Sequence, residues 1–362
     1  EDFGAVPDDG LDDSAALQAA IEAAAKTTGK VNPGAVTLGP GTFHMDGVVT
    51  VTADGIVIRG AGVDATTIIP RFEGQALDQQ GRAKRVPTFH WNGNDPDAPR
   101  VNGPIAAPAT RGETVVEIAD APRFFAVGDG LEIATRKLDS IQVQTLGPAL
   151  LAKHQRVYAR SAQGNYRIPQ GTMEFAKVAA IDGSRVTLDR PLRGTYPMDR
   201  EPFFYKRDYI YRGGLEDLSI TQPDTTKTQI DAVVFERIDG GWMRNVDVGP
   251  IGSWPLRLER SVHCELRNVK FDGTYARGGW GVSYFGLNYS HYNLVEDSEF
   301  HRLRHLSISF FSTANVFRRC TLRNIDVNFH LDWPAETLIE LCDIDAGPAL
   351  GEEKHGSYGF GF

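Results

Sequence analysis

Apolar residues recur along this chain with two periods. In DDSAALQAAIEAAAKTTG, residues 12–29, Leu17 and Ile21 stand four apart in an alanine-rich run. With Asp13 or Ser14 as N-cap and Gly29 beyond the end, that spacing predicts an α-helix. No later stretch carries a helical signal as strong. The segments that follow, AVTLGPGTFHM, GVVTVTADGIVIRGAG and ATTIIP, alternate at period two and are punctuated by Gly, Pro and Asp. They read as short strands.

The second half of the chain repeats itself. The segments starting at Leu215 (LEDLSIT), Met243 (MRNVDVG), Leu266 (LRNVKFD), Val295 (VEDSEFH), Phe317 (FRRCTLR) and Ile339 (IELCDID) place apolar or small residues at positions one, four and six. Their central members are Leu218, Val246, Val269, Ser298, Cys320 and Cys342, separated by 28, 23, 29, 22 and 22 residues. A minimum near 22 with occasional insertions fits one solenoid coil per repeat, with equivalent side chains stacked into ladders. Each coil has a further strand. Alternation there points Val233 and Phe235, Leu256 and Leu258, Val282 and Tyr284, Leu306, Ile308 and Phe310, and Val327, Phe329 and Leu331 inward. The other parity exposes Glu236; Arg257 and Glu259; Ser283 and Phe285; His305, Ser307 and Ser309; and Asn328, His330 and Asp332.

The segments DFGAVPDDGLDDSAALQAAIEAA, VTLGPGTF and VTVTADGIVIRGAG resemble the start of the pectate-lyase-like superfamily. The resemblance implies an all-β fold: a right-handed parallel β-helix (solenoid) with an N-terminal capping α-helix. That superfamily includes polysaccharide lyases, glycoside hydrolases, uronate epimerases and phage tailspikes. Residues 1–70 and 212–345 carry the resemblance; residues 71–211 fit it less well. The expectation is therefore one β-helix domain over 1–362, with a cap at 1–35 and an insertion at 136–170 acting as a lid or binding element. The terminal GSYGFGF alternates as a strand with nothing after it, so missing C-terminal coils are also expected.

Composition narrows the partners. A net charge of −9 argues against a general nucleic-acid or anionic-membrane binder, without excluding a local basic groove. No apolar run is long enough to span a bilayer. Three cysteines without a CxxC pair read as buried small residues rather than a disulfide framework. The chain begins at Glu1 without a signal peptide, as a processed secreted or periplasmic protein would. The acidic DDGLDD is compatible with Ca2+ on composition, but capping the helix N-terminus explains it better. A polysaccharide substrate and a monomer, ahead of a tailspike-like trimer, complete the expectation.

Candidate chemistry gathers on the outward column. His263, His291, His301, His305 and His330 are five of the nine histidines, and histidine is the common acid or base near neutral pH. Arginines 257, 260, 267, 277, 302, 304, 318, 319 and 323 crowd the same region, and arginine suits carboxylate or sulfate. For β-elimination from a uronate, His330 or His305 is the base, Tyr289 or Tyr292 the acid, and Arg304 or Arg257 the carboxylate neutraliser. For hydrolysis, Asp332 pairs with Glu259 or Glu236; otherwise Asp332 orients His330 or holds a cation. Arg277, Trp254, Trp280, Trp333 and Asn328 complete the expected substrate contacts. The chain lacks the paired-Asp and Gly-His-Gly signatures of polygalacturonases. It also lacks the Tyr-Gly-acid-His signature of mannuronan epimerases and the calcium-aspartate motif of common pectate lyases. The resemblance therefore carries over no catalytic residue, and elimination stands slightly ahead of hydrolysis.

Overall fold

The periodic segments become coils. A computed structural model describes residues 2–29, 31–72, 85–93, 101–137, 172–276, 282–330 and 333–345. It divides into one unit of Glu1–Asp95 with Tyr209–Phe362 and another of Pro96–Asp208.

The predicted helix spans Ser14–Ala25 and buries Leu17, Ala20 and Ile21. It ends at Ala25, four residues before Gly29, with Lys26 as its C-cap. It packs against the strands Gly34–Thr37, Val49–Val51 and Ile56–Arg59. The acidic run is taken up by backbone N–H groups. Asp13 accepts from Val6 and His44, Asp12 from Ser14 and Asp46, and Asp8 from Thr42. Asp13 occupies the N-cap position but makes no side-chain cap; it ties the helix to the neighbouring strand Gly41–Met45 instead.

The repeats pair in parallel in the register that their alignment predicts. Leu215, Met243, Leu266, Val295, Phe317 and Ile339 form one ladder. Leu218, Val246 and Val269 form another. Together these strands make the first sheet. The strand Ile210–Ile220 pairs directly with Ile56–Arg59 and Thr66–Pro70, so the sheet continues across the inserted residues. The inward ladders merge into one core in which Phe271, Phe285 and Phe300 stack with centroids 5.0–5.5 Å apart. Cys264 and Cys320 are buried in it as free thiols, and Cys342 packs against it.

Positions one and four of each repeat both face the core because position three turns the chain. Asp217, Asn245, Asn268, Asp297, Arg319 and Leu341 all have φ between 52° and 56°. Asp and Asn tolerate this left-handed conformation best. They also bond up the stack: Asn245 donates to Asp217, and Asn268 to Asn245, each at 2.8 Å.

The second sheet contains Val49–Val51, Val86–Asn92, Ile230–Glu236, Leu256–Glu259, Tyr284–Asn288, His305–Ser309 and Asp326–His330, all parallel. Val233, Leu256, Phe285, Leu306 and Val327 line up inward, as do Phe235, Leu258, Leu287, Ile308 and Phe329. The expected parity holds on four of these strands and reverses on one. Phe285 and Leu287 face the core, so Tyr284 and Gly286 face outward. The cause is Ser283, whose φ of 64° shifts the alternation by one. Phe310, expected inward, lies beyond its strand at φ 54° and stacks on Tyr289 instead.

The Pro96–Asp208 unit is a six-stranded sheet with its own core, including Ile118, Ile133, Val178, Val186 and Phe204. Its strands pair antiparallel. Its strands include Val115–Glu117, Gly130–Thr135, Met173–Asp182 and Arg185–Leu188, so these residues leave the solenoid for a separate fold. Residues 138–170 of the expected insertion lie outside the described residues.

Candidate functional site on the outer face of the second sheet

Most of the crowded arginines are ion-paired on the first sheet. Arg267 meets Glu265 and Glu296, Arg319 meets Asp297 and Glu296, and Arg302 meets Asp272. Arg318 pairs with Glu340, and Arg323 with Asp343. A groove of about 630 Å³ on that sheet is lined by Asp217, Asp247, Lys270, Asp297 and Glu299. Burial raises the Asp247 pKa, and neighbouring Asp64, Glu299 and Asp272 add to the rise against Lys270.

The second sheet is different. Here the outward side chains at the start of the strands form a continuous series from coil to coil. The Arg257 guanidinium lies over the Trp254 ring at 5.9 Å. Trp254 packs against Tyr284 with centroids 5.1 Å apart. Tyr284 carries the Arg304 guanidinium at 5.6 Å and sits 4.8 Å from the His305 ring. His305 Nδ1 hydrogen-bonds Asp326 Oδ1, its register partner on the next coil, and both side chains are buried. With Nδ1–H donated to the carboxylate, Nε2 is left as the basic nitrogen.

Backbone contacts fix this series. The Arg304 N–H donates to the Ser283 carbonyl at 2.8 Å, while Thr274 and Ser283 join through their hydroxyls at 2.5 Å. Trp254 covers Gly286 so closely that a Cβ there would lie 2.2 Å from its ring. The middle outward column therefore runs Arg257, Gly286, Ser307, Asn328. On this column, Arg257 Nε and Asn328 Oδ1 are buried without hydrogen-bond partners among the described residues. Such atoms cost stability unless something supplies the bond.

A second group lies at the far end of the strands, about 13 Å away for four residues of extended chain. Glu236, Glu259, Asn288, Ser309 and His330 are in register there. Glu259 bonds Arg260 at 2.7 Å and Asn288 at 3.1 Å. Burial opposes ionisation of Glu236. The 3.3 Å contact to His90, with the charges of Arg237, His90 and Arg260, outweighs it and holds the carboxyl at about 2. His330 is exposed at the strand end.

The structure thus brings together Arg304, Tyr284, His305 and Asp326, separates them from His330, and sets Arg257 two coils away on the strand that also carries Glu259. Asn328 lies on the middle column. Tyr289 is buried in the following turn, stacked on Phe310 at 4.9 Å and covered by Arg260 at 4.7 Å. Tyr292 lies farther along that turn, stacked on His263 at 5.6 Å. Neither is beside His305. Trp333 is half-buried past the end of its strand with φ 61°. Asp332, Arg277 and Trp280 lie outside the described residues. Of the other histidines, His263 pairs with Asp239, His291 with Thr313 and His301 with Glu299. The sequence reading missed Tyr284 through the parity shift, and missed Arg85, His90 and Asp231, which come from earlier coils.

Residues 1–90 match the family model described as rhamnogalacturonase A/epimerase, pectate lyase-like. The resemblance to the pectate-lyase-like superfamily therefore holds by sequence at the N-terminus, and the later coils continue the same parallel solenoid. No curated protein matches the chain by sequence. Among solved structures, the A-module of a mannuronan C-5 epimerase from Azotobacter vinelandii is 15% identical, with a TM-score of 0.49 over 94% of this chain and 61% of that one. A tailspike protein from Pseudomonas phage LKA1 is 14% identical, with a TM-score of 0.46 over 91% and 56%. An iota-carrageenase solved with iota-carrageenan fragments is 11% identical, with a TM-score of 0.43 over 90% and 55%. The chain thus spans less than two thirds of each, and no residue role is taken from them. No helix among the described residues is long and apolar enough to cross a membrane.

Proposed function

We propose that the outer face of the second sheet binds an acidic polysaccharide and cleaves it by β-elimination, in a secreted or periplasmic setting. The observation that carries this reading is the His305–Asp326 pair, set beside Tyr284 and Arg304 with Arg257 two coils away. Elimination from a uronate needs its carboxylate neutralised, because the C5 proton becomes acidic only when charge can flow onto that group. Arg304, next to His305 and over the Tyr284 ring, supplies the neutralising charge. His305, oriented by Asp326, takes the C5 proton through Nε2. The C5–H electron pair becomes the C4=C5 double bond, the C4–O4 bond breaks, and O4 leaves with a proton from Tyr284. Trp254, buried beneath this face, supports Tyr284 and Arg257. The acidic groove of the first sheet repels the same ligand, which favours the second sheet.

A hydrolytic reading has one specific support. Glu236 and Glu259 are register partners on neighbouring strands, about 4.8 Å apart by backbone spacing. Two carboxyls flanking a glycosidic bond suit hydrolysis when one is protonated and the other ionised. Glu236 is the ionised one.

The test is an ultraviolet assay on polyuronates and sulfated uronate glycans, with reducing ends followed in parallel. Absorbance rising with reducing ends supports elimination at the His305 end. Reducing ends without absorbance overturn elimination and direct attention to Glu236 and Glu259. Neither signal, with retention of glycan on the intact protein, favours a tailspike-like binder, for which gel filtration should show a trimer.

A further inference from the structure

Asp231 is fully buried on the strand Ile230–Glu236. Its Oδ1 accepts the Trp254 backbone N–H at 3.0 Å, and its Oδ2 is buried with no hydrogen-bond partner among the described residues. An ionised carboxylate left so is costly. The charges facing it, Arg85 and Arg257, favour ionisation, yet burial outweighs both and raises the pKa. Asp231 therefore keeps its proton over a wider range than an ordinary aspartate.

The same two arginines converge on one indole. Arg85 stands 4.8 Å from the Trp254 ring and Arg257 5.9 Å, and both are half-buried with a path to solvent. Arg257 Nε lacks a hydrogen-bond acceptor. Two half-buried guanidinium groups thus converge on one buried indole, and the buried Asp231 carboxyl that they face keeps one oxygen unused.

We propose that Arg85, Trp254, Arg257 and Asp231 form an anion subsite that takes a sulfate or carboxylate group. Its residues lie two to four strand spacings, about 10–19 Å, from His305. It is distinct from that pair and holds a different sugar of the same chain. The natural ligand rests on the reading of this face as a glycan site; the subsite itself rests on the contacts above. Protonated Asp231 donates from Oδ2 toward the anion. Once ionised, it presents a like charge instead, so affinity falls as pH rises.

The experiment titrates inorganic sulfate into the full chain and follows tryptophan fluorescence. The expected result is a saturable change, absent in Trp254→Phe and unaltered in His330→Ala. It should weaken by about tenfold or more in Arg85→Gln and in Arg257→Gln, the loss of one charge-assisted contact. In the unsubstituted protein the affinity should fall with rising pH, and in Asp231→Asn it should not. No saturable change, or one that survives both arginine substitutions, overturns the proposal. The arginine variants carry this test even if Asp231→Asn does not fold. If sulfate binds here but no glycan is cleaved, the subsite stands and the lyase reading falls.

Discussion

His305 and Asp326 meet across neighbouring coils, ring nitrogen to carboxylate, with both side chains buried. His330, on the same strand as Asp326, projects from its opposite end. Either histidine could serve as the base on residue type alone; His305 has an orienting carboxylate and a cation-covered tyrosine beside it.

Asp326→Asn should therefore lower kcat by roughly 100-fold while changing KM little, because it removes the charge that favours the protonated imidazole formed in the reaction. His330→Ala should stay within a few-fold of the unsubstituted protein. If the larger loss falls on His330, the chemistry lies at the far end of the strands.

The solenoid was legible because its repeats enforce stacking. Aligning Leu215, Met243 and Leu266 gives the register observed, since an inward ladder tolerates only apolar or small residues. The site was less legible, for two physical reasons. Outward positions obey no such constraint, so one left-handed residue, Ser283, was enough to hide Tyr284 and expose Phe285 on paper. And arginine-rich composition does not reveal which arginines already have carboxylate partners. Arg267 and Arg319 do, through acids on neighbouring coils, whereas Arg257 and Arg304 lie over aromatic rings. Arg85 and Asp231 could not be joined to the site from sequence at all, because residues 96–208 interrupt the coil spacing between them.

Gly286 is predicted to resist any side chain. A Cβ there would lie 2.2 Å from Trp254, so Gly286→Ala must displace the indole or the strand. The expected cost is about 1–3 kcal/mol, the usual range for overpacking. Thermal unfolding should show the loss, and altered tryptophan fluorescence should show that the ring has moved. Unchanged fluorescence with normal stability would mean that Trp254 does not rest on this strand.

Glu236 gives the fold an acid limit. Its pKa falls from an ordinary 4.5 to about 2 in the folded chain. The stabilisation is therefore complete above about 4.5 and is lost as pH drops toward 2. Its size is on the order of 3 kcal/mol. Glu236→Gln should be less stable near neutrality and show a flatter decline in denaturant midpoint over that acid window. An undiminished slope would place the acid sensitivity in other carboxylates.

Tyr284 and Tyr292 separate the two placements of the proton donor. Both are tyrosines on or just past the same strand, but Tyr284 faces His305 at 4.8 Å, whereas Tyr292 stacks on His263 in the following turn. Removing one hydroxyl from each leaves its ring packing in place. Tyr284→Phe should lower turnover by about 100-fold or more, within the range for loss of a general acid. Tyr292→Phe should leave it nearly unchanged. Substrates with better leaving groups at C4 should recover much of the Tyr284→Phe loss, because departure then needs less help from a proton. A defect that ignores the leaving group would make Tyr284 a support for Arg304 and His305, and the proton donor would have to be sought elsewhere on this face.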